Sequence, residues 1–562
     1  VEVELDENEH DDGDGEEEGS THLQRVHPLT KVHRSGTHPS TLEFPYAALI
    51  EPITAQLSTV NLVHLRETAQ RVFGGPSLPF SVSTPILART MEQRPLALNA
   101  FQSRMSPIEA DAFLAAVLPG AYASITSALV ETRRRLGSAW AARQVRRAAA
   151  GKLRILDAGG GGAGVLAVRE MLRAEWERIH EEAEASSTEV AQADGRVGGM
   201  GVSAPVGQAT VLAASDTLRR RASQLLTDTT FIPRLPDYVH AAEGERGKFD
   251  VVIAAYGLGR EQGHERKTFV RNLWRLTRGD AEEGGVLILV EKGLTRGFEM
   301  VAGARKMLLE RHIASPLDAV ARGEGQLVWQ DKDDATMTEK TLRHDDVKAP
   351  TTTPALDKER GCIIAPCTTH AACPMFVPSG VLKGRRDLCH FKQAYTRPPF
   401  LQKLLHAKDK NFATIKFAYL AVLRGRDLRL ERGVTQDAAA AARAFAGHDE
   451  TSTAADTDAA AAAAHAEAEA PTLGMTLPRA VMPPIKRKGH VTLDLCTSAG
   501  VLERWTVPRS FSHQAYRDAR KSRWGDLWAL GAKTRLERRP RGVKPRPGNE
   551  KRQTRGQVME ED

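Results

Sequence analysis

The chain has 562 residues, 41% of them hydrophobic, 27% charged and 5% aromatic, which suits two or three domains around sizeable cores. Five cysteines exclude a disulfide-stapled scaffold, and no apolar run approaches the roughly 18 residues of a spanning helix, which argues against an integral membrane protein. The net charge of +7 hides an asymmetry: residues 2–18 carry eleven acids and no base, whereas Pro483–Gly556 carries nineteen Lys and Arg against six Asp and Glu, a balance that suggests a polyanionic partner such as nucleic acid.

Residues 1–40 read as a disordered acidic tail with no apolar signal-peptide segment. The first residue is Val1, as it would be after removal of an organellar targeting peptide or after trimming. Residues 41–150 have a helical pattern. In the stretch 106–137, Ser106 is a candidate N-cap with Glu109 three residues on, and Phe113, Val117, Leu118 and Tyr122 recur at helical spacing. Pro119 and Gly120 predict a break there into two helices.

Residues 151–310 alternate strand and helix patterns, within a domain expected over 151–434. Strands are expected at 153–159, 209–216, 249–259 and 284–293, with helices at 165–185 and 217–226. Such alternation implies right-handed crossovers and a parallel sheet covered by helices. Residues 186–208 and 331–360 read as surface insertions, 361–366 and 414–425 as further strands, and 361–395 as a Cys-rich metal segment. An Ala-rich stretch, 435–482, has too few large apolar groups to dock and reads as mobile. A basic C-terminal module, 483–535, holds a hairpin (490–496 and 501–508) and a basic helix (510–524), before a basic disordered tail, 536–562.

A glycine-rich loop follows the first of these strands: Asp157-Ala158-Gly159-Gly160-Gly161-Gly162-Ala163-Gly164. Glycines let a backbone approach a ligand where a Cβ would clash, and the next helix offers unpaired N–H groups. Asp157, Gly159 and Gly161 fit the D-x-G-x-G pattern of S-adenosylmethionine (SAM) methyltransferases, and Asp216, past the second strand, is placed to accept from a ribose. A dinucleotide or an empty turn are the alternatives. After the third strand the chain reads Ala254-Ala255-Tyr256-Gly257, with no acceptor-site motif, so no catalytic residue is assigned.

Four of the five cysteines fall at 362, 367, 373 and 389, and the fifth at 496. The spacings lack the C-x₂₋₄-C knuckle of zinc sites, and Cys373 precedes Pro374 as in some ferredoxin runs; His370 and His390 keep zinc as the runner-up. Cys362 lies inside an apolar strand and points into a core. Cys367 ends that strand, and Cys496 ends a strand before the turn TSAG. The expected ligands are therefore Cys367, Cys373, Cys389 and Cys496, with Cys362 in reserve.

The segments LDAGGGGAG, FDVVIAAYGLG, VLILVEKGLTRGFEMVAGAR, IIAPCTTHAACP, LCHFKQAY and RKSRWGDLWAL together resemble the methyltransferase-like proteins of the mitochondrial ribosomal small subunit. The resemblance covers roughly 41–535 outside the insertions. It implies an α/β, Rossmann-type SAM-methyltransferase fold, residence in the mitochondrial matrix, binding to small-subunit rRNA and ribosomal proteins, and a [4Fe–4S] cluster. The family's cysteines match the same four. The extra Cys362, the Ala-rich insertion and the very Gly-rich loop are departures. Rival readings are an active SAM-dependent rRNA methyltransferase and an Fe–S redox enzyme holding a dinucleotide.

Overall fold

A computed structural model describes residues 26–73, 97–190, 203–235, 247–259, 263–314, 358–376, 387–407, 410–437, 439–440, 468 and 470–540. Nine strands build one sheet: β1 (Thr41–Leu42), β2 (Arg154–Asp157), β3 (Gln208–Leu212), β4 (Thr229–Ile232), β5 (Val251–Ala255), β6 (Gly285–Lys292), β7 (Gly361–Ala365), β8 (Phe391–Thr396) and β9 (Phe412–Arg424). The order is β1-β8-β9-β6-β5-β2-β3-β4, with β7 also on β9. Strands β2 to β6 pair parallel, and β9 runs antiparallel to β6, β7 and β8. The parallel strands are those expected from the alternating pattern, and the whole is the Rossmann-type, methyltransferase-like arrangement that the resemblance implies. Its order reverses between β2 and β5, the switch point where such sheets present a ligand crevice.

Strand alternation sorts the core into two halves. Ile155, Val251, Ile253, Val286 and Ile288 face the helices Leu118–Leu136 and Ala163–Val190. Leu156, Val252, Ala254, Leu287 and Leu289 face Gly263–Leu276 and Thr295–Arg311. Strands β5 and β7 are buried throughout, as a sheet covered on both faces requires.

The expected break at Pro119 does not occur. Ser106 closes a capping box with Glu109, and the helix runs on through a π-turn at Phe113–Val117 into Leu118–Leu136. A proline removes one i→i−4 bond, and the wider turn just upstream accommodates that loss. Pro107–Leu136 is long and apolar enough to span a membrane, but 89% of its most apolar window is buried inside the protein, so it serves as a core helix.

A second sheet, all antiparallel, forms from β10 (Arg479–Ala480), β11 (Ile485–Arg487), β12 (His490–Cys496), β13 (Leu502–Pro508) and β14 (Thr534–Glu537). The helix His513–Lys521 packs Ala515 and Ala519 onto it beside Trp505 and Trp528. Three sequence expectations are corrected here. The tail expected over 1–40 is ordered from residue 26: Pro28–Val32 is a short helix whose Leu29 joins this second core. The Ala-rich stretch ends by residue 470, because Met475, Leu477, Ala480 and Val481 are buried. The C-terminal tail begins later than placed, since β14 pairs with β13 through Glu537. Residues 1–25, 441–467 and 541–562 lie outside the described residues, and the expectations for them with them.

Candidate functional site

The cysteines divide between the two faces of the main sheet. Cys362 is wholly buried in the half that holds the helix Leu118–Leu136. The Leu428 N–H donates to its Sγ at 3.5 Å, and burial together with Asp427 pushes its thiol up to about 12. Cys367, Cys373 and Cys496 pack partly buried against the opposite half, and Cys389, just before β8, touches both. Burial raises the thiols of Cys373, Cys389 and Cys496. Neighbouring thiols raise them further: Cys367 acts on Cys373, Cys367 and Cys373 act on Cys389, and all three act on Cys496. The structure thus brings the four expected ligands into one neighbourhood and leaves Cys362 outside it. Four thiolates there repel one another unless a cationic centre joins them.

Three devices hold this neighbourhood together. His370 lies between Cys367 and Cys373; its Nε2 accepts the Ile363 N–H at 2.8 Å, and its Nδ1 meets Gln436 Oε1 at 2.7 Å. With Nε2 accepting, Nδ1 must carry the proton, so neither nitrogen is left to ligate a metal. Gln436 in turn donates to the carbonyls of Thr368 and Met475. Arg305, 3% exposed, donates from Nη2 to the carbonyls of Thr369 and Ala371, both at 2.8 Å, and its charge opposes the raised thiols. Finally, the turn after β12 presses on the cysteine loop. Gly500 has φ +79°, and a Cβ there would stand 2.6 Å from that of Ala371.

Does the set fit a cluster? Among the described residues no group of three or more His, Cys, Asp or Glu side chains is arranged to hold a metal ion, for which the ligands must converge on one point. Thiolates around a body of four irons and four sulfides stand farther apart. Buried polar atoms beside the cysteines, Arg305 Nε, Thr368 Oγ1 and Ser498 Oγ, have no hydrogen-bond partner among the described residues. Three such atoms suit a sulfur-rich acceptor surface better than an empty apolar packing. Arg305 and Ser498 both lie in segments the sequence singles out, but nothing in the sequence places the Arg305 side chain, more than sixty residues before Cys367, beside the cysteine loop.

The glycine loop packs closely against its own chain. Asp157 is fully buried, and its carboxylate accepts the N–H groups of Gly160 at 2.6 Å and of Gly162 and Gly164 at 2.9 Å. A Cβ on Gly159 would stand 2.2 Å from the Ala255 carbonyl oxygen and 3.0 Å from Phe101; one on Gly161 would stand 2.5 Å from Phe113. Phe101 also closes on Gly257, and the Ala100 carbonyl accepts the Ala214 N–H at 2.8 Å, so this segment crosses the ends of β2, β3 and β5. Asp216 opens the helix after β3, is exposed, and is paired with Arg219. Glu291, unnoticed in the sequence although it is the one acid in an apolar strand, accepts from Leu258 N at 2.7 Å and Gly259 N at 3.2 Å, and burial lifts its carboxyl to about 7.

In the basic module, Arg517, Arg520 and Lys521 are exposed on one helix face, and Lys486 and Arg487 on β11 and Lys488 in the turn after it are exposed too. Trp505 is 1% exposed, donates to Glu503 at 2.6 Å and lies under Arg535, so it cannot stack on a base. Trp524 packs on His390 at 4.1 Å between centroids.

A family model described as "Mitochondrial small ribosomal subunit Rsm22" matches residues 107–319 and 351–529. The chain is 28% identical over 292 residues to Rsm22-cox11 tandem protein 2, mitochondrial, of Schizosaccharomyces pombe, covering 52% of this chain and 30% of that protein. It is 31% identical over 269 residues to the Saccharomyces cerevisiae protein named Ribosome assembly protein RSM22, mitochondrial, covering 45% and 40%. It is 23% identical over 282 residues to the human protein named Ribosome assembly protein METTL17, mitochondrial, covering 50% and 39%. The matches span well under half the length of each of these relatives.

Proposed function

The chain belongs to the mitochondrial small ribosomal subunit Rsm22 family, and from that premise we propose that it acts in the mitochondrial matrix as an assembly factor of the small ribosomal subunit. In this reading the basic module binds small-subunit rRNA, and a [4Fe–4S] cluster on Cys367, Cys373, Cys389 and Cys496 clamps that module to the methyltransferase-type body. Two of the named relatives are called ribosome assembly proteins, and all are called mitochondrial, which supports the biological part. The observation that carries the clamp is the meeting of Cys496, the last residue of β12, with three cysteines of the main sheet domain. Bound there, the cluster supplies iron–thiolate bonds that cross-link segments more than a hundred residues apart. The protein's own part is to bring the thiols together, through His370 and Gln436, and to set the Arg305 charge beside them.

The methyltransferase-type sheet serves as a scaffold in this reading. Asp157 is spent on its own loop, and Phe101 and Phe113 occupy the space beside Gly159, Gly257 and Gly161. These residues do not fit an open SAM site, so no methyl-transfer step is assigned. The test is anaerobic purification of the full chain with iron, sulfide and co-purifying RNA measured together. Iron and sulfide with small-subunit rRNA support the reading; a metal-free protein carrying no rRNA overturns it.

A further inference from the structure

The N-terminal segment runs along the basic module. The His27 N–H donates to Asp518 at 3.0 Å, the Ser35 N–H to Asp526 at 2.7 Å, and the Leu527 N–H to the His33 carbonyl at 3.1 Å. Leu29 is buried beneath the same helix, His513–Lys521. The chain therefore leaves the described structure at the middle of that helix, beside Asp518. Asp518 is itself fully buried and also accepts from Gln514, so its charge faces inward. The cations flanking it, Arg517, Arg520 and Lys521, face outward. Asp526 likewise turns its carboxylate onto the N–H groups of Ser35 and Arg523. The acids of this region are thus used inside, and the outer face is left basic.

Eleven acids lie between residues 2 and 18, only nine residues from His27 at the nearer end. Nine residues reach at most about 30 Å, and a nine-residue helix is about 14 Å long. We propose that the acidic segment 2–18 docks on the helix face Arg517–Arg520–Lys521 of its own chain and competes there with RNA. A tether this short gives an effective concentration in the millimolar range. An intrinsic affinity of about 0.1 mM then occupies the face about nine-tenths of the time and weakens RNA binding about tenfold. Weak polyanions are displaced, and an RNA that also engages other surfaces binds. The contact with RNA rests on the rRNA reading above; the docking of the segment does not.

The experiment uses the full chain with non-cysteine fluorophores at Asn8 and Ser510, and in parallel a variant with all eleven acids changed to Asn or Gln. Energy transfer should be high at low salt, independent of protein concentration, and lost either at about 1 M salt, where the screening length is about 3 Å, or in the triple variant Arg517→Glu, Arg520→Glu, Lys521→Glu. The neutralised variant should bind transcribed small-subunit rRNA about tenfold tighter at low salt, a gap that closes as salt rises. Transfer that ignores both salt and the triple variant overturns the docking, and transfer that falls on dilution replaces it with contact between copies. Normal docking with no rRNA binding by any variant sinks the rRNA reading and upholds the intramolecular contact.

Discussion

Cys362 and Cys367 are five residues apart and serve opposite faces of the same sheet: Cys362 points from β7 into the half beneath the helix Leu118–Leu136, and Cys367 sits against the half holding Trp274 and Met375. The separation predicts unequal roles. Cys373→Ser, Cys389→Ser or Cys496→Ser should abolish the expected content of about four irons and four sulfides per chain. Cys362→Ser should keep the iron. Iron and sulfide assays on anaerobically purified variants check this; iron lost from Cys362→Ser and kept in Cys373→Ser contradicts it.

His370 holds β7 to the cysteine loop through one accepted N–H. His370→Phe leaves the Ile363 N–H and Gln436 Oε1 unpaired, which costs about 1–3 kcal/mol. Thermal melting should show the loss, and the variant should bleach faster in air than wild type, because the loop carrying two of the four thiols is released. Equal melting and equal bleaching would remove His370 from the account.

The two domains meet at a buried ion cluster. Glu131 accepts from Arg135 at 2.9 Å and from Arg479, the β10 residue opposite Cys496, and its carboxyl is held well below the usual range, burial opposing and Arg479 and Arg135 prevailing. Glu131→Gln strands two buried cations and should cost about 3–5 kcal/mol in denaturant unfolding. Hydrogen exchange should rise first in β10 and β12.

His33 lies at the same junction. Burial and then Arg135 push it down to about 3, against an ordinary 6.5. Between those values the unfolded chain binds a proton that the folded chain refuses, so this contribution is complete above pH 6.5 and is lost as pH falls toward 3. Wild type should lose about 2 kcal/mol more stability than His33→Gln between pH 7 and pH 5. Asp526, whose carboxyl burial lifts to about 6, acts with the opposite sign in both proteins and cancels in the comparison. Equal pH slopes would show that His33 is protonated in the fold.

Gly161 has φ +63°, with Phe113 where a Cβ would be. Gly161→Ala should destabilise by about 2–4 kcal/mol, from the backbone conformation and the clash together. On the scaffold reading of the sheet, calorimetry with SAM should give no heat for wild type. Saturable SAM binding by wild type would reopen the catalytic reading.

What the sequence yielded follows from how local each signal is. The strands β2, β5, β6, β9, β12 and β13 are apolar runs or alternations bounded by Gly, Pro or polar residues, and each was legible to within a few residues. Strand β4 (Thr229–Ile232) is short and half exposed, and β14 is wholly exposed, so neither has a burial pattern to read. Pro119 misled because the device that tolerates it, a π-turn at Phe113–Val117, leaves no mark in composition. Placement on strands separated Cys362 from the other four. The roles of Arg305 and Glu131 were invisible, because the contacts that define them, Arg305 with Thr369 and Glu131 with Arg479, span 64 and 348 residues. Residues 26–36 looked like tail because their few apolar side chains are buried by the C-terminal module and not by their neighbours.

The most direct test is sedimentation of mitochondrial small subunits in the presence of the full chain, wild type beside Cys496→Ser. Wild type should travel with the small subunit and its rRNA, and Cys496→Ser, with its basic module unclamped, should fall to the top of the gradient. Wild type absent from the small-subunit fractions, or Cys496→Ser sedimenting as wild type does after losing its iron, would contradict this.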